Sequence, residues 1–279
     1  MSAMNVTVLA SGSAGNATLF SSDDASVLVD AGIGPRVLAR MLGDLALPSP
    51  DAIVITHAHG DHVGQCERIA QKYGIPIYRS EATARAVPLG AHTLARRYGS
   101  RDPFAVGPFT LSPLPLPHDA AQVALVVEAA GQRAAIVTDL GEVTASLPDH
   151  LAACDVVLLE ANHDADLLRD GPYAAFLKQR IASSRGHLSN DQTAALLRTL
   201  SPATHTVVLM HLSRTNNTPA LALAAARDAL GERPVMVTVA PPRGPATFAT
   251  TAPHRLASPH PRPVNAWPAG MRQGSLPFV

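Results

Sequence analysis

The chain has 279 residues, 47% of them hydrophobic, enough for one large core or two small ones. Its 22 basic residues balance 22 acidic ones, so no global field announces a nucleic-acid or membrane partner, although local patches stay open. Cys66 and Cys154 lie far apart in apolar surroundings and read as buried free thiols of a reducing compartment; with no leader-like N-terminus and no apolar run near the roughly 18 residues of a membrane span, a cytoplasmic protein is expected.

Short β-branched runs alternate with helical periodicities up to about Ala240. VTVLA (6–10) and SVLVD (26–30) read as strands, followed by a helix over 35–42 and the strand AIVIT (52–56). A helix over 64–73 and a strand over 76–79 come next. Four strands are then expected, at 109–116, 123–129, 133–139 and 155–160, and two helices, at 173–183 and 191–200. A strand at 206–210, a helix at 219–230 and a strand at 235–240 close the pattern. Strands with helices between them imply an α/β architecture, and the consecutive central strands predict more than one sheet. From 241 to 279 Pro and Ala dominate without an apolar period. The expected organisation is therefore a folded domain over 1–240 and a poorly ordered tail over 241–279. His254 and His260 are weak ligand candidates because they fall in that tail.

The strongest chemical signal is THAHGDH (56–62), which follows an apolar strand. His57, His59, Asp61 and His62 bring three imidazoles and a carboxylate together, a donor set suited to a borderline divalent ion such as zinc. Other strand ends supply further ligand types: His118 in PLPHDA, Asp139 in IVTDLG and His211 in VLMHLS. Any one of these could be a cap or a satisfied buried polar group. Together they provide more ligands than one open catalytic site needs, so two metals are expected. A carboxylate such as Asp139 can bridge two cations, and a metal pair can hold a hydroxide at neutral pH and clamp a phosphoryl group.

HxHxDH followed by a later His, Asp and His resembles the metallo-β-lactamase superfamily. The resemblance covers roughly residues 5–240 and implies a four-layer αββα sandwich with the site at strand ends between two sheets. It implies one metal on His57, His59 and His118 and a second on Asp61, His62 and His211, with Asp139 bridging. Asp30, in LVDAG, matches an early Asp that orients a ligand loop from behind the ligands. The ions are expected to be zinc, with manganese an alternative. Fold alone decides little about substrate. PHDA replaces the GHT-type third histidine motif of glyoxalase II and many lactamases, and the interval from Asp139 to His187 is too short for a β-CASP nucleic-acid domain. LASGSAGN, THAHGDH, HDA, TDLG, LLEANHD, LKQRIASSRGHLSN and HLSRTNN are similar, in that order, to the YycJ/VicX (WalJ-like) branch. Its members are regarded as metal-dependent phosphodiesterases, with DNA exonuclease activity the leading assignment.

His187, in RGHLSND, is surplus to the ligand set. Ser189 followed by Gln192 is a capping-box pattern, and Gly186 is expected to supply an unusual backbone angle. Ribonuclease Z-like phosphodiesterases carry a non-ligand His in a GHS-type loop, oriented by a Glu. RGHLSN and LLEANHD resemble those elements and imply that His187, backed by Glu160, gives a proton to the leaving oxygen, with Asp61 orienting the water. The plain alternative is a core histidine bonded to backbone carbonyls; His163 in ANHD is a rival donor. For substrate contacts, Ser13 and Asn16 in SGSAGN and Arg214 behind His211 are candidates. ARRYGSR (95–101) and KQRIASSR (178–185) are local basic runs. With only 4% Phe, Trp and Tyr there is no aromatic platform for single-stranded bases, which favours backbone recognition of a duplex. The reading is a dinuclear metal-dependent phosphodiesterase acting on DNA. A small-molecule ester, thioester or lactam hydrolase, or a silent sensor of the same fold, is the alternative.

Overall fold

The computed structural model describes residues 4–242 and 244–250. The first sheet is built from β1 (Asn5–Ala10), β2 (Ala17–Ser21), β3 (Ser26–Val29), β4 (Ala52–Ile55), β5 (Ile77–Ser80) and β6 (Ala95–Tyr98). The second holds β7 (Phe104–Val106), β8 (Phe109–Leu116), β9 (Gln122–Ala129), β10 (Gln132–Val137), β11 (Val156–Glu160), β12 (Thr206–Met210) and β13 (Met236–Val239). A last strand, β14 (Ala246–Ala249), returns to the first sheet beside β1. The helices are α1 (Pro35–Asp44), α2 (Gly60–Val63), α3 (Cys66–Tyr73), α4 (Glu81–Ala86), α5 (Leu147–His150), α6 (Ala165–Asp170), α7 (Ala175–Ile181), α8 (Asn190–Leu197) and α9 (Pro219–Leu230).

Alternation along the strands creates the layers. In β4, Val54 faces the core shared by the two sheets, while Ile53 and Ile55 face α1 and α3. In β11, Val156 and Leu158 point to the shared core, while Val157 and Leu159 meet α8 and α9. The result is the expected α/β sandwich, helix–sheet–sheet–helix, with strands apolar on both faces. β3 to β6 run parallel, as do β10 to β13, so each run ends its strands along one edge. Ligand sites of α/β sheets form at such carboxyl ends. Cys66 and Cys154 are buried free thiols, as expected, and burial pushes both up to about 11. No helix among the described residues is long and apolar enough to cross a membrane.

Several elements differ from the sequence expectation for physical reasons. The basic run 95–101 contains the edge strand β6, whose arginines are exposed, a composition that discourages edge pairing with other chains. The helix expected over 64–73 is α3, starting two residues later, and a short helix not expected from the sequence, α2, precedes it inside the histidine loop. α7 is shorter than expected and buries none of its residues. The segment read as a coreless tail from 241 contributes β14: Phe248 enters the core between the sheets, and Thr250 donates through N and Oγ1 to the Met4 carbonyl. The folded unit therefore reaches Thr250. His254 and His260 lie outside the described residues.

Candidate metal centre

Three non-glycine residues just past parallel strands adopt left-handed backbone angles: Asp30 (φ 60°), Asp139 (φ 58°) and His211 (φ 56°). Such angles are uncommon for side-chain-bearing residues, and here they turn three functional groups off their strands toward one place. His211 is locked there by its N–H donating to Ser11 Oγ at 2.8 Å. Gly32 lets the histidine loop close in: a Cβ there would stand 1.8 Å from the Asp61 carbonyl oxygen.

All seven expected ligands converge. His57, His59 and His118 form one cluster, Asp61, His62 and His211 a second, and Asp139 joins His57 and His62 in a third. Within each, one candidate donor atom per residue lies within 4.8 Å of the others. His62 Nε2 stands 3.1 Å from Asp139 Oδ2, and His211 Nδ1 is 3.5 Å from Asp139 Oδ1.

The groups behind the cluster fix which nitrogen faces inward. Asp30 accepts from His62 Nδ1 at 2.7 Å and from the N–H and hydroxyl of Thr56. His57 Nδ1 meets Thr56 Oγ1 at 3.1 Å, His118 Nδ1 donates to the Gly186 carbonyl at 3.1 Å, and His211 Nδ1 donates to Glu160 Oε1 at 3.1 Å. In all four rings Nδ1 is engaged by these groups, and Nε2 is the nitrogen on the cluster side. His57 Nε2 and His211 Nε2 are buried without a hydrogen-bond partner. Unpaired buried nitrogens among carboxylates fit a divalent cation, and this donor set suits zinc.

Electrostatics agree. Burial opposes charge on Asp139, yet His211 and His62 hold its carboxyl well below the usual range. Burial lowers His62, but Asp139 and Asp30 outweigh it and carry that imidazole up to about 10. Burial, then the nearby His62 charge, pushes His57 well below its ordinary value, toward the neutral form that ligates. The negative charge that attracts protons here equally attracts cations.

Glu160 ends β11 and is fully buried. Its Oε1 accepts from His187 Nδ1 at 2.7 Å, and its Oε2 accepts from the N–H groups of Leu140 and Leu188. The pair drawn from RGHLSN and LLEANHD is thus in contact. Unforeseen was that Glu160 also holds His211. Burial lowers His187, but Glu160 outweighs it and raises the imidazole above its ordinary value. Glu160 in turn is carried down to about 2, chiefly by His187, against a burial effect that raises it. Asp139, Glu160, His187 and His211 also lie close enough to form a cation-sized group. The Glu160 oxygens, however, are already committed to two imidazoles and two backbone N–H groups.

Other expectations are refined. Gly186 has no left-handed φ; its need is space, since a Cβ would stand 2.2 Å from the Ile181 carbonyl oxygen and 2.3 Å from that of Arg180. Ser189 and Gln192 form the expected capping box. Asn16 does not face solvent as a substrate contact: it is buried, with Nδ2 3.2 Å from Asp61 Oδ2 and 2.8 Å from His62 Nε2. Ser13 and Arg214 are exposed. His163 is buried and outside the clusters. Sequence reading missed Asp119, whose Oδ1 lies 3.0 Å from His59 Nε2 and 3.3 Å from His118 Nε2, while Oδ2 accepts from Arg180. The only signal was an acid directly after a ligand-type histidine. Through Arg180, and through Arg185 donating to the His118 carbonyl, the basic run 178–185 touches the site.

The two sheets and this strand-end cluster define a metallo-β-lactamase fold. The family model described as a beta-lactamase superfamily domain matches residues 25–212, and the chain belongs to that superfamily, in its YycJ/WalJ branch. It is 35% identical over 227 residues to exodeoxyribonuclease WalJ of Streptococcus pneumoniae, spanning 77% of this chain and 84% of the relative. With exodeoxyribonuclease YycJ of Bacillus anthracis it shares 29% identity over 238 residues, 82% of this chain and 90% of that one. The solved metallo-β-lactamase fold protein YhfI from Bacillus subtilis matches with a TM-score of 0.71 at 22% identity, over 89% of this chain and 100% of that chain, which shows the shared fold.

Proposed function

We propose that this protein is a dinuclear metal-dependent phosphodiesterase that acts on DNA as an exonuclease. The observation that carries the reading is the His187–Glu160 pair, 2.7 Å apart beside the metal-ligand cluster. His57, His59 and His118 would hold one divalent ion and Asp61, His62 and His211 the other, with Asp139 shared between them. Zinc is the first candidate and manganese the second. When bound, the ions supply Lewis acidity that activates water and neutralises phosphoryl charge. His187 then has the task the ions leave open: a departing deoxyribose oxygen needs a proton, and an imidazolium supported by a carboxylate supplies one. Glu160 keeps Nδ1 engaged, so the proton is delivered from Nε2. Asp61, at the open side of the cluster, orients the attacking water. DNA as substrate draws on the names of the WalJ and YycJ relatives and on the basic run that reaches the site through Arg180 and Arg185.

The test is one panel under zinc and manganese: bis-p-nitrophenyl phosphate, end-labelled single- and double-stranded DNA, RNA and a lactam. Shortening of DNA from its ends is expected. Turnover of the lactam or a thioester without any phosphodiester cleavage would refute the assignment.

A further inference from the structure

A cavity of about 390 Å³ opens between α6 and α7, within the about 300–1,000 Å³ range of small-ligand sites. Ala165, Leu168, Ala175, Lys178, Ala182 and His163 are among the residues that line it. His163 is 3% exposed, and its Nδ1 is sealed from solvent without a hydrogen-bond partner. A buried imidazole of this kind ordinarily finds partners, so the cavity wall contains an unmet polar requirement. Burial lowers its pKa, and a neutral ring presents one donor and one acceptor.

A second observation lies on α7. That helix buries none of its residues, yet carries Phe176 at 74% exposure. Phe176 adjoins Ala175 in sequence and sits three residues before Gln179 on the same helix, and both of those residues line the cavity. An apolar lining, an exposed aromatic on the helix that forms one wall and an unpartnered polar ring complement a nucleobase, whose faces stack and whose edge hydrogen-bonds. The cavity is also tied to the reacting centre. His163 N–H faces the Leu188 carbonyl and its own carbonyl accepts from Asn190 N, which brackets the turn after His187. The His187 N–H donates to the Ile181 carbonyl at the end of α7, and Arg180 reaches Asp119 beside His59 and His118. Lys178 adds positive charge on the wall between.

We propose that this groove is a base-binding subsite, in which Phe176 stacks on a nucleobase of the strand being degraded and His163 bonds its edge. The inference rests on the nucleic-acid reading and names one contact by which the protein engages its substrate. It also places a single aromatic platform where composition argued against several.

The experiment compares the metal-loaded full chain with Ala175→Trp and Phe176→Ala, both at exposed positions. Binding and cleavage are measured on single-stranded oligonucleotides whose end nucleotides are normal or abasic. The wild type is expected to prefer the base-bearing end on the order of ten- to a hundredfold, the worth of one stacked base. Both variants should erase that preference and keep hydrolysis of bis-p-nitrophenyl phosphate. DNA cleavage with no preference for a base overturns the subsite and leaves the nuclease reading intact. Base-dependent binding without any cleavage does the reverse. A lower oligomer mass in Phe176→Ala with the preference unchanged also overturns the subsite, because the face would then join two copies of the chain.

Discussion

His187→Ala separates a proton donor from a metal ligand when it is read on two leaving groups. The substitution leaves Glu160 accepting from His211 Nδ1, Leu140 N and Leu188 N, so the buried carboxylate keeps partners. Loss of one charged hydrogen bond costs about 1.5–3 kcal/mol. That is tolerable against the about 5–15 kcal/mol of a typical domain, so the variant should fold. General-acid catalysis contributes about 10²–10⁴ in rate, and this loss should fall on DNA, whose alkoxide leaving group needs the proton. Bis-p-nitrophenyl phosphate expels a stable phenolate and should lose much less. Single-turnover rates on both substrates, with metal content measured by mass spectrometry, decide the matter. Equal losses on the two substrates with metals retained would refute proton donation. Loss of metal would instead make His187 a ligand.

Metal-loaded protein should contain close to two transition-metal ions per chain, and His57→Ala should reduce that content and abolish turnover, as read by elemental analysis beside the activity. Because Glu160 raises the folded-state pKa of His187 and is itself lowered to about 2, the pair's stabilisation is complete between about 4.3 and about 6.5; it is lost as pH rises through the raised His187 value and as pH falls through about 2. The same proton sets a basic limb in the rate, and Glu160→Gln should move that limb to lower pH in a full pH–rate profile. Gly186→Ala drives a Cβ against the Ile181 and Arg180 carbonyls and should cost about 1–3 kcal/mol, a drop of several degrees in Tm by calorimetry. Truncation after Ala240 removes β14 and should lower Tm, whereas truncation after Thr250 should leave Tm and activity unchanged.

What was legible in the sequence was the part written locally. THAHGDH announces its donors in six positions, and His118, Asp139 and His211 each follow an apolar run that reads as a strand. What stayed hidden depends on pairing between distant segments. β2 and β14 contain few residues and no clear period, and they exist because β1 offers them an edge on either side. Asn16 looked like a loop residue, yet the turn between β1 and β2 folds it against Asp61 and His62. Asp119 was ambiguous because an acid after a histidine takes its meaning from Arg180, which lies far along the chain.

Glu160 shows most clearly what register adds. In the parallel pair β11 and β12, Glu160 stands opposite Met210, so the next residue, His211, emerges beside it. One carboxylate therefore serves both the imidazole of a proposed metal ligand and that of the proposed proton donor, at 3.1 Å and 2.7 Å. The consequence is a physical coupling. Burial opposes charge on His211, yet without a cation Asp139, with Asp61 and Glu160, outweighs it and holds the ring as an imidazolium; a divalent ion held by His211 would displace that proton and bring a larger positive charge beside Glu160 and His187. Metal loading should thus lower the His187 pKa toward neutrality and ready it to release its proton. Titration of the His187 ring by nuclear magnetic resonance, with and without zinc, reads this directly. An unchanged pKa on loading would show that Glu160 holds the two rings independently.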